Sequence, residues 1–93
     1  MIRTFSCKET ERIFNGVQSR KFPVSIQSRA FTVLVQLHSA SDLAQLRIPP
    51  SNRLHSLAGN LKGFWSLSIN MQWRVIFRWE GGEATDVKIT DYH

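Results

Sequence analysis

The chain has 93 residues, 42% of them hydrophobic and 20% charged, enough for one compact core and outside the disordered and fibrous classes. Twelve Lys and Arg against seven Asp and Glu give a net charge of +5, which favours polyanionic partners. No apolar run nears the roughly 20 residues that span a bilayer, and Met1-Ile2-Arg3-Thr4 lacks the apolar core of a signal peptide, so a cytoplasmic chain with no membrane partner is expected.

Ile2, Thr4 and Phe5 make a short extended start. Ser6 with Glu9 three residues on has the form of a capping box, opening a first helix that runs to about Asn15. Asn15-Gly16 ends it with residues that tolerate left-handed backbone. The lone Cys7 has no partner for an intramolecular disulfide and no second thiol for a zinc site, so neither metal nor cofactor is expected. A basic link, Ser19-Arg20-Lys21-Phe22, leads to Pro23, which suits the first turn of a helix. From Val24 to about Ser39, Ile26, Ala30, Val33, Leu34 and Leu37 recur at the spacing of one helical face. This predicts the long helix that covers a sheet, with Gln27, Ser28, Thr32 and Gln36 on its other faces. His38 is read as a helix-end residue. Ser41-Asp42 can cap a short third helix holding Leu43 and Leu46, stopped by Pro49-Pro50.

Arg53 to Leu57 alternates weakly, as a short edge strand does, and Gly59-Asn60 with Lys62-Gly63 connects it onward. Two runs rich in β-branched and aromatic residues, Phe64 to Ile69 and Trp73 to Trp79, flank the polar break Asn70-Met71-Gln72, the pattern of a hairpin. Alternation sorts Trp73, Val75, Phe77 and Trp79 to one side and Arg74, Ile76 and Arg78 to the other. Glu80-Gly81-Gly82-Glu83 is a tight turn. The last run, Ala84 to Tyr92, puts Thr85, Val87 and Ile89 on one face and Asp86, Lys88 and Thr90 on the other. The expected architecture is α+β: two to three N-terminal helices packed on one face of a mainly antiparallel sheet of four to five strands, as a single domain over residues 1–93. The uncovered face is left to bind.

Four side chains converge if the sheet forms this way: His55, Arg74, Tyr92 and His93, with Asp91 adjacent. The set suits metal-free phosphodiester cleavage, in which one group removes a 2′-hydroxyl proton, another protonates the leaving oxygen and a cation stabilises the phosphate. Histidine fits the proton transfers because it titrates near neutrality. Plainer roles stand beside these: a frayed C-terminal tail, a histidine exposed on an edge strand, and arginines that are solvated charges or stack on an aromatic neighbour.

Asn52-Arg53-Leu54, Leu57-x-Gly59, Lys62-Gly63, Ser66-x-Ser68-Ile69-Asn70-x-Gln72-Trp73-Arg74-x-x-Phe77 and the terminal Asp91-Tyr92-His93 together resemble the HigB branch of the RelE/ParE toxin superfamily. The opening Met1-Ile2-Arg3-x-Phe5 is similar too. The resemblance implies a RelE/ParE-like fold and a toxin of a type II toxin–antitoxin pair, a ribosome-dependent endoribonuclease that cuts translated mRNA. It implies a HigA-like helix-turn-helix antitoxin as partner, and contact with operator DNA only through that antitoxin. Family catalytic positions fall on His55, Arg74, Asp91, Tyr92 and His93. His93 would be the leading acid–base group, Arg74 the phosphate ligand, Tyr92 an orienting or stacking residue and Asp91 an orienter of its neighbours. Asn70 and Trp73 of the central motif join Arg53 and Lys62 as expected RNA or phosphate contacts. One departure is Ala58, where some relatives carry a lysine before the glycine; Lys62 or Arg53 would then have to hold the phosphate. Two other readings remain: a non-catalytic ParE-like toxin that inhibits gyrase, and a weakly toxic subunit acting mainly in repression of its operon. The first would need no acid–base residues; the second would permit normal growth on free expression.

Overall fold

A computed structural model describes residues 1–91. Two helices, α1 (Lys8–Phe14) and α2 (Val24–Ser39), are followed by short 3-10 turns at Leu43–Arg47, Pro50–Asn52 and Gly59–Leu61. The strands are β1 (His55–Ser56), β2 (Phe64–Ser68), β3 (Trp73–Glu80) and β4 (Glu83–Asp91), in spatial order β1-β2-β3-β4 with every neighbouring pair antiparallel. This is the expected α+β arrangement. The third helix is a 3-10 turn, capped by the Asp42 carboxylate, which accepts from the Gln45 N–H at 3.2 Å. No helix among the described residues is long and apolar enough to cross a membrane.

The chain's start supplies the edge beyond β4. Ile2 and Phe5 bridge Ala84 and Val87 in parallel, and the ladder runs through Ala84 N–H to Met1 O, Arg3 N–H to Ala84 O, Val87 N–H to Thr4 O and Ser6 N–H to Val87 O at 2.8–3.1 Å. These backbone bonds hold the segment. The Arg3–Glu83 ion pair at 3.2 Å is solvent-exposed and adds less than about 1 kcal/mol.

Ser6 therefore does not cap α1; its hydroxyl donates to Asp86 O at 3.3 Å, and the N-cap position is Cys7. The reason is a bulge. Pairing shifts between Ile76 and Arg78, and Asp86 takes φ of +51°, a left-handed conformation that Asp tolerates better than most residues. Thr4 Oγ1 accepts from Asp86 N–H at 2.9 Å, so two side chains of the first segment satisfy the backbone that the bulge withdraws from the ladder. Below the bulge the face of β4 changes phase. Ala84, paired with Trp79, is fully buried, while Thr85 pairs with Arg78 on the opposite face. The expectation for Thr85 is corrected accordingly; Val87 and Ile89 face the core as expected.

Ile26, Ala30, Val33, Leu34 and Leu37 of α2 are all buried and cover Leu67, Val75, Phe77, Val87 and Ile89. At roughly 1.5–3 kcal/mol per side chain, this burial rather than helix propensity fixes α2 on the sheet. Gln27 departs from its expected outer position and is 9% exposed. Its amide accepts from Ser19 N–H at 2.9 Å and donates to the carbonyls of Ser19 and Phe22 at 2.7 and 2.8 Å. The basic link between the helices has no ladder to join, and one glutamine completes its hydrogen bonds. His38 serves structurally, with Nδ1 accepting from Ile2 N–H at 3.1 Å and its ring 5.2 Å from that of Phe14.

Candidate active site

The helices leave one sheet face bare of helical cover, although Ser66, Ser68 and Ile76 on it are buried rather than open as expected, and strand pairing sets the rows that line it. Antiparallel partners project to the same side, so His55, Ser66, Ile76 and Lys88 form one row and Ser68, Arg74 and Thr90 the next. Arg74 and His55 are thereby brought to one face. Ile76 is 2% exposed and lies apart from the main core cluster, so an apolar residue floors the row between Ser66 and Lys88. Low polarity beneath a charged group strengthens its field toward a ligand.

Arg74 is half-buried, and its Nη1 donates to Ser66 Oγ at 3.2 Å. Ser66 is itself fully buried, so the hydroxyl is a fixed anchor for the guanidinium. His55 sits on the two-residue edge strand β1, with Nδ1 3.0 Å from Arg53 O. A carbonyl only accepts, which puts the proton on Nδ1 and leaves Nε2 of the neutral ring as its basic atom. Arg53 carries φ of +47° at the end of the Pro50–Asn52 turn. With Asn70, Arg29 and Ser68 it lines a hollow of about 320 Å³ beside the Arg74 row. Two of the expected RNA contacts thus meet in one place.

Asn70 has a second, structural role, and the remaining expected site residues stand elsewhere. Asn70 Oδ1 accepts from the N–H groups of Gln72 and Trp73 at 2.8 and 2.7 Å, closing the β2–β3 loop as an Asx turn. Trp73 pairs with Asp91 and so faces the helix side, its ring edge-on to Phe22 at 5.6 Å between centroids. Asp91 shares that side rather than the face of Arg74, and its Oδ2 accepts from Gln72 Nε2 at 3.2 Å. Lys62 is exposed at the far end of β2 from Asn70. Tyr92 and His93 lie outside the described residues, and with them the expected approach of His93 to Arg74. Arg78 keeps a structural role over the Phe64 ring, 4.4 Å from its centroid, and pairs with Asp86 at 3.5 Å.

Sequence reasoning passed over Ser66 and Asn52. Ser66 falls within the motif that carries Arg74, two residues on from Phe64 on the face opposite the core, and strand alternation was the signal that could have found it. Asn52 is fully buried, accepting from Arg29 Nη2 at 3.1 Å and donating to Gln36 Oε1 and Leu46 O at 2.9 and 3.2 Å. It ties the turn before β1 to α2, and so sets where His55 and Arg53 stand.

Two helices over a four-stranded antiparallel sheet, with an arginine anchored on the face away from the helices, define an α+β domain of one architectural class. Solved structures agree on the fold: a YafQ point mutant from E. coli superposes with a TM-score of 0.64 at 12% identity, covering 98% of this chain and 91% of that one. The HP0894 protein of Helicobacter pylori gives a TM-score of 0.55 at 17% identity over 99% and 96% of the two chains. The chain belongs to the HigB-like family, RelE-like toxins of type II toxin–antitoxin systems, whose family model matches residues 3–93. Endoribonuclease HigB of Proteus vulgaris is 27% identical over the full length of both chains. Toxin HigB-1 of Vibrio cholerae is 54% identical over 41 residues, a match that spans 44% of this chain and 43% of that protein. Membership of a type II family implies an antitoxin partner.

Proposed function

We propose that this chain is a ribosome-dependent endoribonuclease that cleaves translated mRNA through attack of a 2′-hydroxyl on the neighbouring phosphodiester, without a metal ion. Its partner is a HigA-like helix-turn-helix antitoxin, through which alone it reaches operator DNA. The observation that carries the reading is that Arg74 and His55, both family site positions, share the bare sheet face, in a chain similar end to end to an endoribonuclease.

In this mechanism the Arg74 guanidinium, held by Ser66, neutralises the scissile phosphate as a fifth oxygen ligand crowds it. His55 Nε2 takes the 2′-hydroxyl proton. His93 returns a proton to the departing 5′-oxygen, Tyr92 stacks on or orients a base, and Asp91 positions these neighbours. Each well-placed proton transfer contributes on the order of 10²–10⁴-fold. Arg53 and Asn70, beside the Arg74 row, hold the backbone on one flank, with Lys62 and Trp73 as further contacts.

Purified protein added to translating ribosomes should cut the message in the decoding site. His93→Ala should abolish the cuts while the melting temperature stays unchanged. Intact message at high protein concentration refutes the reading, and gyrase inhibition in its place would assign the chain to the non-catalytic toxins.

A further inference from the structure

Among the described residues, the N-terminal segment bridges the β4 outer edge only as far as Val87. Beyond the bridge of Phe5 to Val87, Thr10 Oγ1 takes the Ile89 N–H at 3.0 Å, and a cavity of about 580 Å³ opens between the start of α1 and the link to α2. Lys8, Lys21, Lys88, Phe22, Trp73 and Asp91 line it. We propose that this cavity is a second RNA subsite, taking a phosphate and base of the single strand next to the nucleotides held by Arg74. The inference rests on the endoribonuclease reading and adds a path for the strand.

Charge is the first argument. Among the described residues, ion pairs join Arg3 to Glu83, Arg12 to Glu9 and Arg78 to Asp86, and no carboxylate of those residues pairs with Lys8, Lys21 or Lys88. Two acids also line the cavity, Glu9, which accepts from Ser19 Oγ at 2.7 Å and pairs with Arg12, and Asp91, which accepts from Gln72, so three lysines outnumber two carboxylates there. Three ammonium groups converging on one opening attract an anion. Cys7 lies at the same wall, its Sγ 3.8 Å from Lys21 Nζ. Burial alone would raise its thiol pKa, yet hydrogen bonds from the Thr10 side chain and from the Thr10 and Glu9 backbone, with the Lys21 charge, hold it below the ordinary value.

Continuity is the second. Lys88 and Thr90 belong to the rows of the bare face and also line the cavity. A strand crossing from Arg74 on β3 over the β4 edge travels roughly two strand spacings, about 10 Å. There it meets Trp73, whose ring is fixed by the edge-on Phe22. An indole in such a position is a stacking platform, worth roughly 5- to 150-fold in affinity per base and indifferent to its identity.

The test uses full-length protein and uncleavable 2′-O-methyl oligoadenylates of increasing length, read by fluorescence anisotropy. Affinity should rise once the strand is long enough to cross β4. In the Lys8→Gln/Lys21→Gln variant this gain should fall roughly 10-fold or more, and the slope of log affinity against log salt should flatten by about 0.7 for the phosphate released. Arg47→Gln, on an exposed 3-10 turn, should keep both. Wild-type affinity and slope in the double variant overturn the subsite, as does a loss confined to an acidic antitoxin segment. If that variant binds as wild type while Arg74→Gln abolishes cleavage, the subsite alone fails. A wild-type chain that neither binds nor cuts RNA removes the nuclease reading and the subsite with it.

Discussion

Replacing Asn52 by alanine should destabilise the protein by roughly 2–6 kcal/mol. The side chain is fully buried, and its amide has two hydrogens for three nearby oxygens. Gln36 Oε1 at 2.9 Å and Leu46 O at 3.2 Å take them, leaving Ile48 O at 3.5 Å as a marginal contact. In the variant, Arg29 and Gln36 are exposed enough to turn to water, so each of those bonds costs only about 0.5–1.5 kcal/mol. The Leu46 carbonyl is enclosed, and leaving it without a donor costs about 1–3 kcal/mol. For a domain of this size each kcal/mol lowers the melting temperature by about 4–8 °C, so a fall of at least about 8 °C is expected. Denaturant unfolding should show a lower midpoint with an unchanged slope, the mark of lost stability rather than a changed denatured state. A double-mutant cycle with Gln36→Ala should return a coupling of about 0.5–1.5 kcal/mol. A loss below about 1 kcal/mol for Asn52→Ala would refute the view that this residue ties the turn before β1 to α2.

Two further outcomes test the chemistry of the faces. Ser66→Ala frees Arg74 Nη1 from its anchor, and cleavage should fall by about 10-fold, less than for Arg74→Gln, as expected for loss of one hydrogen bond to a charged group; wild-type cleavage would show that the hydroxyl does not position the guanidinium. Cys7, with its pKa depressed in the folded state, should be alkylated with a pH midpoint below that of the same thiol in the unfolded chain. Its contribution to stability is then full above the unfolded value and lost as pH falls through the folded one, and Lys21→Gln should move the alkylation midpoint upward.

The long helix could be read from its residues because one local rule governs it: Pro23 opens it and a five-residue apolar face at helical spacing continues to Ser39. The hairpin followed in the same way from two β-rich runs around Asn70-Met71-Gln72. Gln27, Asn52 and Ser66 were hidden because each answers a tertiary demand: a link without a ladder, a turn that must meet a helix, and a guanidinium that needs an anchor. Alternation failed on β4 for a similar reason. A bulge has no signature in Ala84-Thr85-Asp86-Val87; it is stabilised by Thr4 and Ser6, some 80 positions away. Of the expected site, the shared face of His55 and Arg74 could be read from period two. The position of Asp91 on the Trp73 side follows from the same period carried one residue further along β4.

The bulge also decides what the sheet can do. With unbroken alternation on β4, Thr85 would face the core and Lys88 the bare side, and the first half of the strand would place a hydroxyl where the fully buried Ala84 now sits beneath Trp79. An unpartnered hydroxyl there would cost about 1–3 kcal/mol. Shifting phase at Asp86 buries Ala84 and Val87 together and still delivers Lys88 and Thr90 to the side of Arg74. One strand then serves the core along its whole length and the charged face along its second half. That second half is also where the N-terminal segment stops covering the edge, so the residues that share a face with Arg74 are the ones beside the lysine-lined cavity.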